Sequence, residues 1–131
     1  MCAILITSHN VFAVGALAND QVINHYGASW NSNSKKIAAR FAIMECSKRG
    51  NTQCKIIGYF SNSCTAVARD SKDEGRLVSG YALGKSTLWD AKRNAMAKCE
   101  NAGGKECLIT ISACDGDEYD TGEPYLLGLT N

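Results

Sequence analysis

The chain has 131 residues with one Pro, 12 Gly, seven Cys and a formal net charge of +1. A single domain of this size buries a core, and 45% apolar content argues against a disordered or collagen-like chain. Near-zero net charge removes the electrostatic footprint of a general nucleic-acid binder, and no apolar run approaches the roughly 20 residues of a membrane-spanning helix.

The first stretch, Met1 to Leu17, is apolar. It has no early Lys or Arg, and Ser8, His9 and Asn10 interrupt it, so it does not read as a signal peptide. The expectation is the mature form of an exported protein, with its signal peptide absent from this chain. Ala3 to Thr7 is expected as an edge strand. Cys2 is expected as a buried or free thiol on it, with a lipid-bearing cysteine as the alternative.

Ala13 to Ala18 and Val22 to Trp30 have the β-branched and aromatic content of strands, with a turn at Asn19-Asp20. Ser34 is placed to cap a helix over Ser34 to Arg49, with Ile37, Phe41 and Met44 as its apolar stripe and Ala38 and Ala42 beside them. Gly50 would end the helix, and Cys54 to Phe60 follows as a strand. Thr65 to Arg69 and Arg76 to Leu83 read as strands. Thr87 caps a second helix to Asn101 with Leu88, Ala91, Ala95 and Cys99 on one face; Gly103 ends it, and Cys107 to Ser112 is the last strand.

These elements repeat. Adding 53 to Gly27, Ser34, Ala38, Ala42, Cys46, Gly50, Cys54 and Ile56 gives Gly80, Thr87, Ala91, Ala95, Cys99, Gly103, Cys107 and Ile109. Each unit reads β-β-α-β. The expected fold is α+β, two tandem ββαβ repeats forming a two-layer sandwich of about six mostly antiparallel strands and two helices. The chain is expected as a single domain, 1–131. Repeat 1 covers about 12–63, repeat 2 about 64–114, and an acidic tail 115–131.

Each repeat carries C-x7-C, spanning a helix end and the next strand. With Cys64 and Cys114 left over, the economical pairing is Cys46–Cys54, Cys99–Cys107 and Cys64–Cys114, the last linking the two units. Zinc is the rival. Its sites favour closely paired ligands, whereas this chain has no C-x2-C and only His9 and His25 far upstream. Reduced buried thiols are the third possibility.

The same residues resemble the bacterial domain-of-unknown-function family numbered 4189. The resemblance rests on Gly15-Ala-Leu-Ala18, Tyr26-Gly27, the Ala38, Ala42, Cys46 helix, Cys64-Thr-Ala-Val-Ala68, the Ala91, Ala95, Cys99 helix and Cys107 to Cys114. It covers roughly residues 12–115. It implies an exported bacterial protein in an oxidising compartment, and it brings no catalytic residues with it.

No G-x-S-x-G, H-E-x-x-H, P-loop or dinucleotide fingerprint is present. A nucleophile built from Cys2 with His9, or a base at His25, is a weak candidate beside the structural roles of those residues. Asp115, Asp117, Glu118, Asp120 and Glu123 invite calcium, but the run lacks the glycine and final glutamate of an EF-hand loop. No cofactor, metal or catalytic set is therefore expected.

Charge is divided along the chain. Residues 1–64 carry six basic and two acidic residues, +4; residues 65–131 carry eight and eleven, −3. A basic patch of Lys35, Lys36, Arg40, Lys48, Arg49 and Lys55 stands against the acidic tail. Asp115, Asp117, Glu118, Tyr119, Asp120, Glu123 and Tyr125 form the expected partner-binding set, anchors within a charged rim; Trp30 and Trp89 are expected as core or rim residues.

The functional expectation is a non-enzymatic, disulfide-stapled, periplasmic or secreted bacterial protein-binding domain, with an immunity protein that neutralises a toxin as one form. A secreted effector acting on a host or competitor and a small Cys/His-dependent enzyme are the alternatives. The sequence leaves a small-molecule ligand open.

Overall fold

The computed structural model describes residues 13–48, 53–72 and 78–116. The expected strand at Ala3 to Thr7, the helix-ending Gly50 and the segment after Gly116 lie outside them. Eight elements follow in order: β1 (Val14–Asp20), β2 (His25–Ser32), α1 (Lys35–Cys46), β3 (Lys55–Phe60), β4 (Cys64–Asp70), β5 (Ser79–Lys85), α2 (Leu88–Asn101) and β6 (Cys107–Cys114). The strands form two three-stranded antiparallel sheets, β2-β1-β3 and β5-β4-β6. The fold is α+β with two ββαβ units, as the repeat implies.

The N-caps fall at the predicted residues. The Ser34 hydroxyl accepts from Ile37 N at 3.1 Å and Thr87 from Asp90 N at 3.0 Å, each relieving an unpaired amide of the first turn. Gly103 ends α2 in the left-handed region, φ 105°. The first turn begins later than Asn19-Asp20: β1 runs on to Asp20, and Gln21 to Asn24 make the bend.

The helices lie unusually close to their sheets, and glycine sets the distance. A Cβ on Gly27 would overlap Cys46 N and Ala42 O; one on Gly80 would overlap Cys99 N and Ala95 O. Helix backbone therefore rests directly on strand backbone in both units. Only small side chains fit beside that contact, and the buried residues of α1 are Ala38, Ala42 and Cys46, those of α2 Ala91, Ala95 and Cys99. This corrects the expected stripe of α1: Ile37, Phe41 and Met44 face outward, 37%, 50% and 55% exposed.

Each unit is thus a helix on one face of a sheet. The opposite faces of the two sheets meet around Leu17, Ala28 and Val67, with Tyr26, Ile57, Tyr81, Leu83 and Ile111 at the margins. β2 lies over β6 and β3 over β5. Since β2 corresponds to β5 and β3 to β6, the two seams are equivalent, and the units are related by an approximate two-fold axis. Tyr26 Oη and its counterpart, Ser79 Oγ, are hydrogen bonded across this interface at 2.9 Å.

The cysteines pair as 46–54, 99–107 and 64–114. The first two fasten each helix to the start of its following strand. The third differs from expectation in its place. Cys64 and Cys114 are register partners on the neighbouring strands β4 and β6, so the bond lies within the second sheet and joins no unit to the other. The positions equivalent to them in the first unit are Val14 and Ser61. Three disulfides fit an oxidising extracellular or periplasmic environment.

Candidate functional site

The two copies of one fold serve as internal controls for each other. In α1 the outward positions are Ile37, Phe41 and Met44; the equivalent positions of α2 are Asp90, Asn94 and Ala97. Both helices bury the same alanines and cysteine, so the fold does not require large apolar side chains at the outer positions. The seams differ as well. On the β3·β5 side, Leu83 packs onto Gly58, its Cδ2 filling the space that a Cβ there would take. On the β2·β6 side, Trp30 occupies the place of Leu83 and Ile111 the place of Gly58. That seam stays open, and Trp30 is 49% exposed.

An open groove of about 1070 Å³ results, running along β2. One wall is α1 with Ile37, Phe41 and Glu45; the other is the second sheet with Arg69, Thr110 and Ile111. Among the described residues β2 pairs with no strand but β1, and of its main-chain N–H groups that of Asn31 is taken by Asp115. Glu45 is held by Lys48 at 3.1 Å. Lys36 and Arg40 are exposed beside the apolar residues and meet no carboxylate among the described residues.

The far end of the groove is closed by an unusual residue. Asn31 sits in the left-handed region, φ 58°, which asparagine tolerates better than most side chains. Its N–H donates to Asp115 Oδ1 at 2.5 Å, and its own Oδ1 accepts from Gly116 N at 2.8 Å. Asp115 is fully buried. It fastens the end of β6 to the end of β2, so this member of the expected partner-binding set has an intramolecular partner and no exposed surface. Asp117, Glu118, Tyr119, Asp120, Glu123 and Tyr125 lie outside the described residues, as do Cys2 and His9. His25 lines the groove, with its main chain accepting from Asn19 Nδ2 at 3.1 Å. Cys46, the cysteine among the described residues that lines the groove, is oxidised in a disulfide. Among the described residues no helix is long and apolar enough to cross a membrane.

Two carboxylates that the sequence pattern did not single out organise the loops below. Asp20 ends β1 and accepts from Val22 N at 2.8 Å and Gln53 N at 2.6 Å. Asp70 ends β4 and accepts from Lys72 N at 2.9 Å, Glu106 N at 3.2 Å and Lys105 N at 3.3 Å. Each ties the strand end to the segment entering its third strand, beside the C-x7-C disulfide. The signal available in the sequence was Asp at the same place in both repeats, at an offset of 50 where the cysteines keep 53. The Gln53 amide, joined by those of Val22 and Ile23, holds the Asp20 carboxyl below its ordinary value of 3.8, against a smaller opposing effect of burial. A depressed folded pKa means that the stabilisation is present above the unfolded value, about 4, and is lost as pH falls through the folded one. Asp20→Asn is therefore expected to lower the melting temperature at pH 7, with the gap to the parent closing below about pH 4. A gap independent of pH between 2.5 and 7 would contradict the role of the charge.

The family model for DUF4189, a domain of unknown function, matches residues 14–114. The chain belongs to this family. The matched span of the DUF4189 domain opens on the first residue of β1 and closes on the last of β6, so it holds both ββαβ units and all three disulfides. The groove, its α1 wall and the anchor residue Asn31 fall within it, whereas Asp115 and Gly116 follow it directly. No curated protein and no solved structure matches the chain.

Proposed function

We propose that this domain is a non-enzymatic protein-binding module of a periplasmic or secreted protein, and that it docks its partner on the outer face of α1 and the adjoining groove along β2. The observation that supports this most directly is the asymmetry of the repeat. Selection for the fold alone explains Ala38, Ala42 and Cys46, which recur in the second unit; it does not explain Ile37, Phe41 and Met44, whose counterparts are Asp90, Asn94 and Ala97. Exposed aromatic and aliphatic anchors beside exposed cations are the composition of an interface core with its rim. The rigid scaffold limits the ordering cost of binding. Neutralisation of a toxin by an immunity protein is one concrete form of this activity, and action of an effector on a host or competitor is another; the identity of the captured protein separates them.

The test uses the fold's own symmetry. A photoreactive benzophenone amino acid is placed at Phe41 in one sample and at Asn94, its counterpart, in another, and each is irradiated with the exported fraction of the source cells. The expected result is a discrete protein adduct from position 41 that is absent from position 94. Equal labelling from both positions, or none from 41, overturns the reading. With the partner in hand, Phe41→Asn is expected to weaken binding about 30-fold, the loss typical of an aromatic hot spot. Its folding stability should stay within about 0.5 kcal/mol of the parent, because the helix already carries asparagine there in the second unit.

A further inference from the structure

The groove has a feature that a flat docking face would not need. Arg69 reaches into it from β4, on the sheet face that also carries Val67, and its Nε is buried with no hydrogen-bond acceptor among the described residues. The equivalent position in the first unit is Asn19, whose amide is satisfied by His25 O. Leaving a charged donor unsatisfied costs more than a neutral one, and a guanidinium is matched best by a carboxylate, which accepts from two of its N–H groups at once.

The placement of the walls adds the second constraint. Among the described residues β2 is the edge of its sheet, with α1 on one face and the second sheet on the other. A strand added to that edge would turn alternate side chains to opposite faces. One set would meet Ile37 and Phe41 on α1; the other would meet Arg69, Thr110 and Ser112. Resting on the protein-binding reading, we infer that the outer edge of β2 takes up an extended segment of the partner as an added strand, apolar at one alternate set of positions and carrying a carboxylate for Arg69 at the other. Main-chain pairing supplies affinity in this mode and the alternating side chains supply specificity. Lys36 and Arg40, exposed on α1 and adjacent in sequence to the groove residues Ile37 and Phe41, favour the same acidic character.

A library of random decapeptides displayed on phage is selected against the folded, disulfide-bonded chain. The expected binders alternate aliphatic or aromatic residues with at least one Asp or Glu. Synthetic copies should shift the amide resonances of His25 to Ser32. They should bind Arg69→Met at least tenfold more weakly, while the melting temperature of that variant shows whether the fold is intact. Arg69→Lys, which keeps charge but not the fork, should recover part of the loss. Failure to enrich any sequence, binders indifferent to Arg69→Met, or amide shifts away from β2 overturn the inference. So does movement of the β2 amides with protein concentration, which marks a second copy as the occupant. Movement on truncation after Gly116 would do the same, marking the chain's own acidic segment. An adduct at position 41 with no peptide selected would leave the protein-binding reading standing and remove only the added strand.

Discussion

Gly27→Ala and Gly80→Ala are each expected to cost about 3 kcal/mol or more, enough to unfold the unit that carries the change. The reason is what the new methyl group meets. At Gly27 it meets the Cys46 amide nitrogen and the Ala42 carbonyl, at Gly80 the Cys99 amide nitrogen and the Ala95 carbonyl. These are backbone atoms of a helix that a disulfide fastens to the next strand, so the helix cannot recede without opening the staple or emptying the layer of buried alanines. Gly84→Ala is the control. Gly84 has φ 74° but nothing within reach of a Cβ, so its loss is confined to the strain of a left-handed alanine, about 1 kcal/mol. Urea unfolding of the oxidised proteins, followed by circular dichroism, measures all three. Similar small losses at positions 27 and 84 would show that the helix-to-sheet distance is softer than the contact implies.

Replacing Cys64 and Cys114 together by alanine is expected to cost about 4 kcal/mol, against about 2.5 kcal/mol for the Cys46 and Cys54 pair. The difference comes from the unfolded chain. The 64–114 bond spans a sequence separation of 50, the 46–54 bond one of 8, and closing the longer loop removes more conformational freedom. The 64–114 bond also fastens the two outer ends of β4 and β6 in a sheet of only three strands. Midpoints of urea unfolding for the two double variants, compared with the parent, give the ratio. Equal losses would mean that strain or local packing at the bonds, and not loop closure, sets their worth. The same bonds make yield depend on compartment: synthesis in a reducing cytosol should give a chain that is markedly easier to unfold than one exported before folding.

Much of the architecture was legible because it is written twice. Ser34 and Thr87 mark helix starts by their hydroxyls, the C-x7-C pairs mark the joints between helix and strand, and the constant offset of 53 makes each feature corroborate its copy. Charge placement was legible too: Lys36 and Arg40 are on the exposed side of α1 as their spacing implies. The orientation of α1 was not. Periodicity assigns the largest apolar residues to the core, and here that put Ile37, Phe41 and Met44 inside and the alanines at their flank.

The sequence by itself therefore determined the class, the duplicated ββαβ order, the caps and the three cysteine pairs, all of which depend on neighbours a few residues away or on the repeat. Only the tertiary structure decided which face of α1 is buried. That choice depends on Gly27, in a different element, bringing two backbones so close that only small side chains, alanine and cysteine, are buried there. Only the tertiary structure placed the 64–114 bond inside one sheet, because strand order and not sequence spacing makes β6 the neighbour of β4. It also turned Asp115 from a surface acid into a buried clamp on Asn31. The candidate site is of this second kind: α1, the β2 edge and Arg69 are brought together by the seam between the units, a contact that no local pattern in the chain encodes.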